Sequence, residues 1–96
     1  MRYHVILSPD AEADIESAIR WYADKHLELP FRFTTETTRT LRRVGQNPYQ
    51  FPAVSSLVRR ALMKRFPYAI DFTVNPKTVF VLTVLHQRRL NPWSKP

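Results

Sequence analysis

The sequence predicts an α+β fold in which a helical hairpin packs on one face of a mostly antiparallel sheet, in the order β-α-α-β-β-β. Three observations carry this expectation. Apolar residues recur at three- and four-residue steps from position 11 to position 44, and from about residue 57 the period changes to two. Proline breaks at Ser8-Pro9, Leu29-Pro30, Asn47-Pro48 and Asn75-Pro76 separate the periodic stretches. A chain of 96 residues with 44% apolar content can fill one small core but not two. Residues 1–96 are therefore expected to form one domain.

Each element has its own reason. Tyr3, Val5 and Leu7 alternate with His4 and Ile6, which predicts a first strand over residues 2–7 with both faces at least partly covered. Ser8 is a helix cap, Pro9 suits the first helical position, and Asp10 and Glu12 favour the positive end of the helix dipole. Ala11, Ile15, Ala18, Ile19, Tyr22 and His26 then form one stripe, predicting a helix over 9–25, with Glu16 and Arg20 as a pair on the opposite side. Phe33, Thr37, Leu41 and Val44 continue helical spacing over 30–44, with Gly45 as the expected stop before Asn47-Pro48. Four threonines, at 34, 35, 37 and 38, weaken this second helix, so it depends on packing against the first.

Beyond a stiff 48–52 connector, three strands follow. Residues 57–64 place Val58, Arg60 and Leu62 on one side and Arg59, Ala61 and Met63 on the other. In 68–74, Tyr68, Ile70, Phe72 and Val74 alternate with Ala69, Asp71 and Thr73, and Asn75-Pro76-Lys77 forms the turn. Residues 79–85 are apolar almost throughout, which marks a central strand.

Composition excludes several function classes. With no cysteine there is no disulfide framework, thiolate metal site or cysteine nucleophile. A single glycine rules out glycine-rich phosphate loops. No His-x₃-His or carboxylate cluster suggests a metal, so neither a metal nor a cofactor is expected. No apolar run approaches the ~18–20 residues of a membrane span, and residues 1–7 are too short for a signal-peptide core. A cytoplasmic protein with no membrane partner is the expectation.

Charge is the most informative quantity. The net +7 is unevenly placed: residues 1–36 carry −3, whereas residues 37–96 carry +10 with Asp71 as their one acid. Such asymmetry predicts a directional face for an anionic partner. With one sheet face under the helices, the other face or its rim remains for binding. Arg59, Arg60, Lys64, Arg65, Arg88 and Arg89 are the candidates, with Arg59 and Arg60 favoured for steering a partner's approach. The structural alternative is that Arg59 and Arg60 are edge charges that discourage strand pairing.

If the chain is a metal-free ribonuclease, His86 as base, Tyr68 as acid and Arg88 as phosphate clamp are the residues for that work. The alternative is a histidine that only satisfies a strand end. His4 and His26 read as structural. Trp21, beside the helical stripe, is either an edge-of-core residue or an exposed anchor, and Trp93 either packs on the sheet or docks a partner.

The segment 58–70, VRRALMKRFPYAI, followed by Val84-Leu85-His86-Gln87-Arg88-Arg89 and Pro92-Trp93, resembles toxins of the ParE/RelE superfamily. Ser8-Pro9 with Ala11, Asp14 and Ile15, and Asn47-Pro48, match as well, so the resemblance spans nearly the whole chain. It implies the toxin of a bacterial type II toxin–antitoxin module of the plasmid-stabilising kind, causing growth arrest and held inactive by an acidic antitoxin. DNA is then contacted only indirectly, through the antitoxin. ParE-like members poison DNA gyrase, whereas RelE-like members cut mRNA on the ribosome. The cutting branch tends to carry a cation where this chain has Ala69, another where it has Leu62, and a catalytic tyrosine after the fourth strand; no tyrosine follows Tyr68 here. The resemblance therefore implies a ParE-like gyrase inhibitor. An mRNA endonuclease, and a degenerate toxin that only binds its antitoxin, are the alternatives.

Overall fold

A computed structural model describes residues 2–90. Strand β1 (His4–Leu7) is followed by helices α1 (Pro9–Ala23) and α2 (Leu29–Gln46), then β2 (Arg59–Leu62), β3 (Tyr68–Val74) and β4 (Thr78–His86). Short 3₁₀ turns occupy Pro48–Gln50 and Gln87–Arg89. The sheet order is β1-β4-β3-β2, with β1 parallel to β4 and the other pairings antiparallel. This is the expected fold, with β4 at its centre.

Between the helices and the sheet lie Phe33, Val44, Ile70, Phe72, Val79, Val81 and Val84, all at most 1% exposed. Burying such side chains contributes on the order of 1.5–3 kcal/mol each. At one end the core becomes aromatic. Tyr22 meets Phe66 at 5.1 Å, and Phe33 meets Tyr68 at 5.1 Å and Phe66 at 5.4 Å between ring centroids.

Two features of β4 set up the site described below. First, Asp71 pairs with Thr83 but Phe72 pairs with Val81, so Leu82 is an extra residue in β4. This bulge reverses the alternation. Val79 and Val81 face the helices before it, and Val84 and His86, opposite Ile70 and Tyr68, face them after it. Second, β1 is too short to flank the rest of β4, and α1 supplies the missing partners. The Ser8 hydroxyl donates to the Leu82 carbonyl at 2.9 Å while accepting from the Ala11 N–H, so it also caps α1. One turn on, the Asp14 carboxylate accepts from the Val84 N–H at 2.9 Å.

The structure departs from the expected boundaries for physical reasons. Helix α2 runs through a buried Gly45 and ends at Gln46, with Asn47 as its non-helical cap, because Pro48 excludes helical geometry from the residue before it. Its threonines are accommodated by back-bonding: Thr34, Thr37 and Thr40 donate to the carbonyls of Pro30, Phe33 and Glu36. His4 and Ile6 of β1 are exposed, so only the face of Val5 and Leu7 is covered. No ion pair joins Glu16 to Arg20 among the described residues; Glu28 and Arg32 make one at 3.2 Å. Strand β2 is four residues long, its outer edge shielded by the preceding loop through Arg60 N–H to the Pro52 carbonyl.

Candidate functional site

A cleft of about 580 Å³ opens between α1 and the end of β4. Asp14, Trp21 and Tyr22 of α1 form one wall, and Tyr68, His86, Arg88 and Arg89 are on the other. The antiparallel register places these groups. Tyr68 opens β3 and His86 closes β4 directly opposite it, their rings 5.4 Å apart and nearly perpendicular. The Gln87 N–H then donates to the Pro67 carbonyl at 2.8 Å, which turns the chain and presents Arg88 and Arg89 to solvent.

The chemistry of the three candidate nuclease residues follows from their contacts. His86 Nδ1 accepts from the Arg88 N–H at 3.2 Å, which leaves Nε2 as the hydrogen-bearing nitrogen of the neutral ring. Burial raises the Tyr68 pKa above its ordinary value, against a smaller lowering by Arg89, so its hydroxyl stays protonated, the form an acid requires. Arg88 is exposed and available to an anion. Across the cleft, burial also raises the Asp14 pKa, opposed by the Val84 hydrogen bond and helped by Asp10.

The six basic candidates divide into separate settings. Arg60 Nε and Nη2 donate to the two Asp71 oxygens at 2.7 and 2.9 Å, with the Arg60 side chain 17% and Asp71 1% exposed. That bonding raises the already high Arg60 pKa further. Arg59 donates to the Phe51 carbonyl at 2.6 Å and covers the Tyr49 ring at 4.9 Å. Lys64 and Arg65 are exposed beyond the end of β2, at the same end of the sheet as Arg88 and Arg89. Trp93 lies outside the described residues. Trp21 is half-exposed, edge-on to Tyr22, with the Lys25 ammonium over its ring at 4.6 Å.

Sequence reasoning named the basic wall of this cleft and offered Trp21 as a possible anchor, but it did not place Asp14 here. Only the bulge in β4 brings His86 round to face the α1 wall. A nearly continuous apolar run hides such a bulge, because it has no alternation to interrupt. Among the described residues there is no group of three or more potential metal ligands, and no helix is long and apolar enough to cross a membrane.

The family model described as "ParE toxin of type II toxin-antitoxin system, parDE" matches residues 5–91. The chain belongs to the ParE toxin family. It is thus a ParE-type toxin of a type II toxin–antitoxin system. The fold of this toxin is similar to a solved chain from the "Chromosomal ParDE TA system from P. aeruginosa", with TM-score 0.75 at 19% identity, over 88% of this chain and 96% of that one. No curated protein matches its sequence.

Proposed function

We propose that this ParE toxin arrests growth by inhibiting DNA gyrase, and that a cognate acidic antitoxin neutralises it by occupying the cleft and its arginine rim. Family membership supports a toxin, and the resemblance to ParE-like members supports gyrase as its target. Ala69 is the observation that carries the choice of gyrase over mRNA. It is fully buried in β3, opposite Leu62 and Leu85, where the cutting branch tends to place a cation. The bound Nδ1 of His86 favours the same choice, since that nitrogen is already engaged and not open to take a proton. Cleft chemistry suits a protein partner: Ala18, Trp21, Tyr22, Pro67 and Val84 supply apolar contact beneath Arg88 and Arg89.

The deciding experiment adds purified toxin to gyrase and measures supercoiling, with primer extension on a ribosome-bound message run in parallel. Lost supercoiling with intact message is the expected result. Normal supercoiling with A-site breaks that vanish in Arg88→Ala would replace the gyrase reading with mRNA cleavage.

A further inference from the structure

A second groove, of about 250 Å³, shares no lining residue with the cleft and lies between α2 and the loop joining β2 to β3. It is lined by Glu36, Arg39, Thr40, Arg43, Lys64 and Arg65. Positions 36, 39, 40 and 43 share one face of α2 because they are spaced at its turn. The one acid is already satisfied: Glu36 is buried and accepts from Arg39 Nη1 at 3.0 Å. Thr40 donates its hydroxyl to the Glu36 carbonyl. Arg43 lies over the Phe51 ring at 5.2 Å, which covers the guanidinium face and leaves its in-plane N–H groups for an acceptor. Lys64 and Arg65 pair with no acid among the described residues. Four cations against one carboxylate leave the groove at +3.

The backbone adds an independent observation. Arg65 has φ 71°, the one positive φ among the described residues. Glycine and asparagine adopt that conformation with less strain, yet the position carries a long cation pointed at an already basic groove. Strain kept at such a place points to a use for the side chain.

We propose that this groove binds the phosphodiester backbone of a nucleic acid directly. The lining decides between a nucleic acid and an acidic protein segment. None of the six lining residues is apolar, so the groove offers no anchor for the buried side chains that dominate protein–protein affinity. Nucleic-acid interfaces are much more positively charged than protein–protein ones, and this groove carries +3. The contrast with the apolar-floored cleft assigns the two basic surfaces to different partners. It also changes the expectation that DNA is met only through an antitoxin. The proposal does not depend on gyrase being the toxin's target.

The test measures binding of the full-length toxin to fluorescent duplex DNA and to single-stranded RNA between about 50 and 200 mM salt. Lys64→Gln with Arg65→Asn removes two unpaired charges and retains a residue that tolerates positive φ. Arg20→Gln with Lys77→Gln removes two exposed charges elsewhere. If the groove holds phosphates, the first variant lowers the slope of log affinity against log salt by about two and weakens binding on the order of tenfold. The second changes the slope by much less. Comparing the duplex and RNA arms identifies which polymer is the source of the phosphates. Equal losses in the two variants would show diffuse attraction and overturn the site. So would groove-dependent binding of a poly-glutamate peptide with no binding of either nucleic acid.

Discussion

Of the chain's three Arg-Arg pairs, Arg59-Arg60 and Arg88-Arg89 have opposite fates. Arg59-Arg60 sits in β2, where Arg60 makes a two-point contact with buried Asp71 and Arg59 is held by the Phe51 carbonyl and the Tyr49 ring. Arg88-Arg89 sits in a 3₁₀ turn capped by His86, exposed and without an acid partner among the described residues. In sequence the pairs look alike. What separates them is the register, which sets Arg60 opposite Asp71, the one acid in the basic part of the chain. Charge density alone identifies a basic surface, but the placement of acceptors decides which cations a partner can reach.

The largest effect should come from breaking the β2 pair. Asp71→Ala leaves the Arg60 guanidinium without its carboxylate in a largely dry setting, and should cost about 3–5 kcal/mol in urea denaturation. Replacing both partners with apolar residues, as Arg60→Met with Asp71→Leu, should cost less than Asp71→Ala alone, because no charge is stranded. A loss below about 1 kcal/mol for Asp71→Ala would place the pair among weak surface bridges and remove the contrast.

The reverse behaviour is expected of the second pair. Arg88→Glu with Arg89→Glu should change stability by less than about 0.5 kcal/mol, as for surface positions generally. It should slow association with an acidic antitoxin on the order of tenfold at low salt, and less as salt rises. Stopped-flow association at several salt concentrations measures both. On this expectation the steering role that the sequence suggests for Arg59 and Arg60 falls instead to Arg88 and Arg89. A smaller effect belongs to Arg59 itself: Arg59→Ala should cost about 1 kcal/mol through the lost carbonyl hydrogen bond, with the ring contact adding a little.

Much of the fold is legible before the structure because its signals are local. The Ser8-Pro9 cap, the α1 stripe, the alternation of 68–74 and the Asn75-Pro76-Lys77 turn each act within a few residues. What is not legible depends on contacts made far along the chain. Ser8 and Asp14 complete the hydrogen bonding of β4 from 74 and 70 residues away, and no periodicity marks them for it. The Leu82 bulge and the burial of the Asp71 carboxylate likewise emerge only when strands pair. At the site, residue types indicate which groups are capable of chemistry. Only the Arg88 N–H bonded to His86 Nδ1 shows that one of those nitrogens is already engaged.

The smallest expected effect tests whether Arg88 and Arg89 are free of Asp14 on the facing wall. Burial is the leading cause of the raised Asp14 pKa, with Asp10 adding to it and the Val84 N–H opposing; no attraction to the cleft arginines contributes. A carboxyl whose folded pKa exceeds its unfolded value binds its proton more tightly when folded. Its stabilising contribution is present in full below the ordinary value of 3.8 and is lost as pH rises through the folded pKa. Asp14→Asn keeps an oxygen for the Val84 N–H and removes the titration. Wild type should therefore lose stability relative to Asp14→Asn as pH rises from below 3.8 towards neutrality, whereas Asp14→Ala should lose the Val84 bond across the whole range. Denaturation midpoints of the three proteins across that range supply the measurement. If wild type instead gains on Asp14→Asn with rising pH, the carboxylate is drawn to Arg88 or Arg89 more strongly than burial disfavours it. The second arginine pair would then be held by an acid as the first one is, and the cleft rim would lose its standing as the open anion-binding surface.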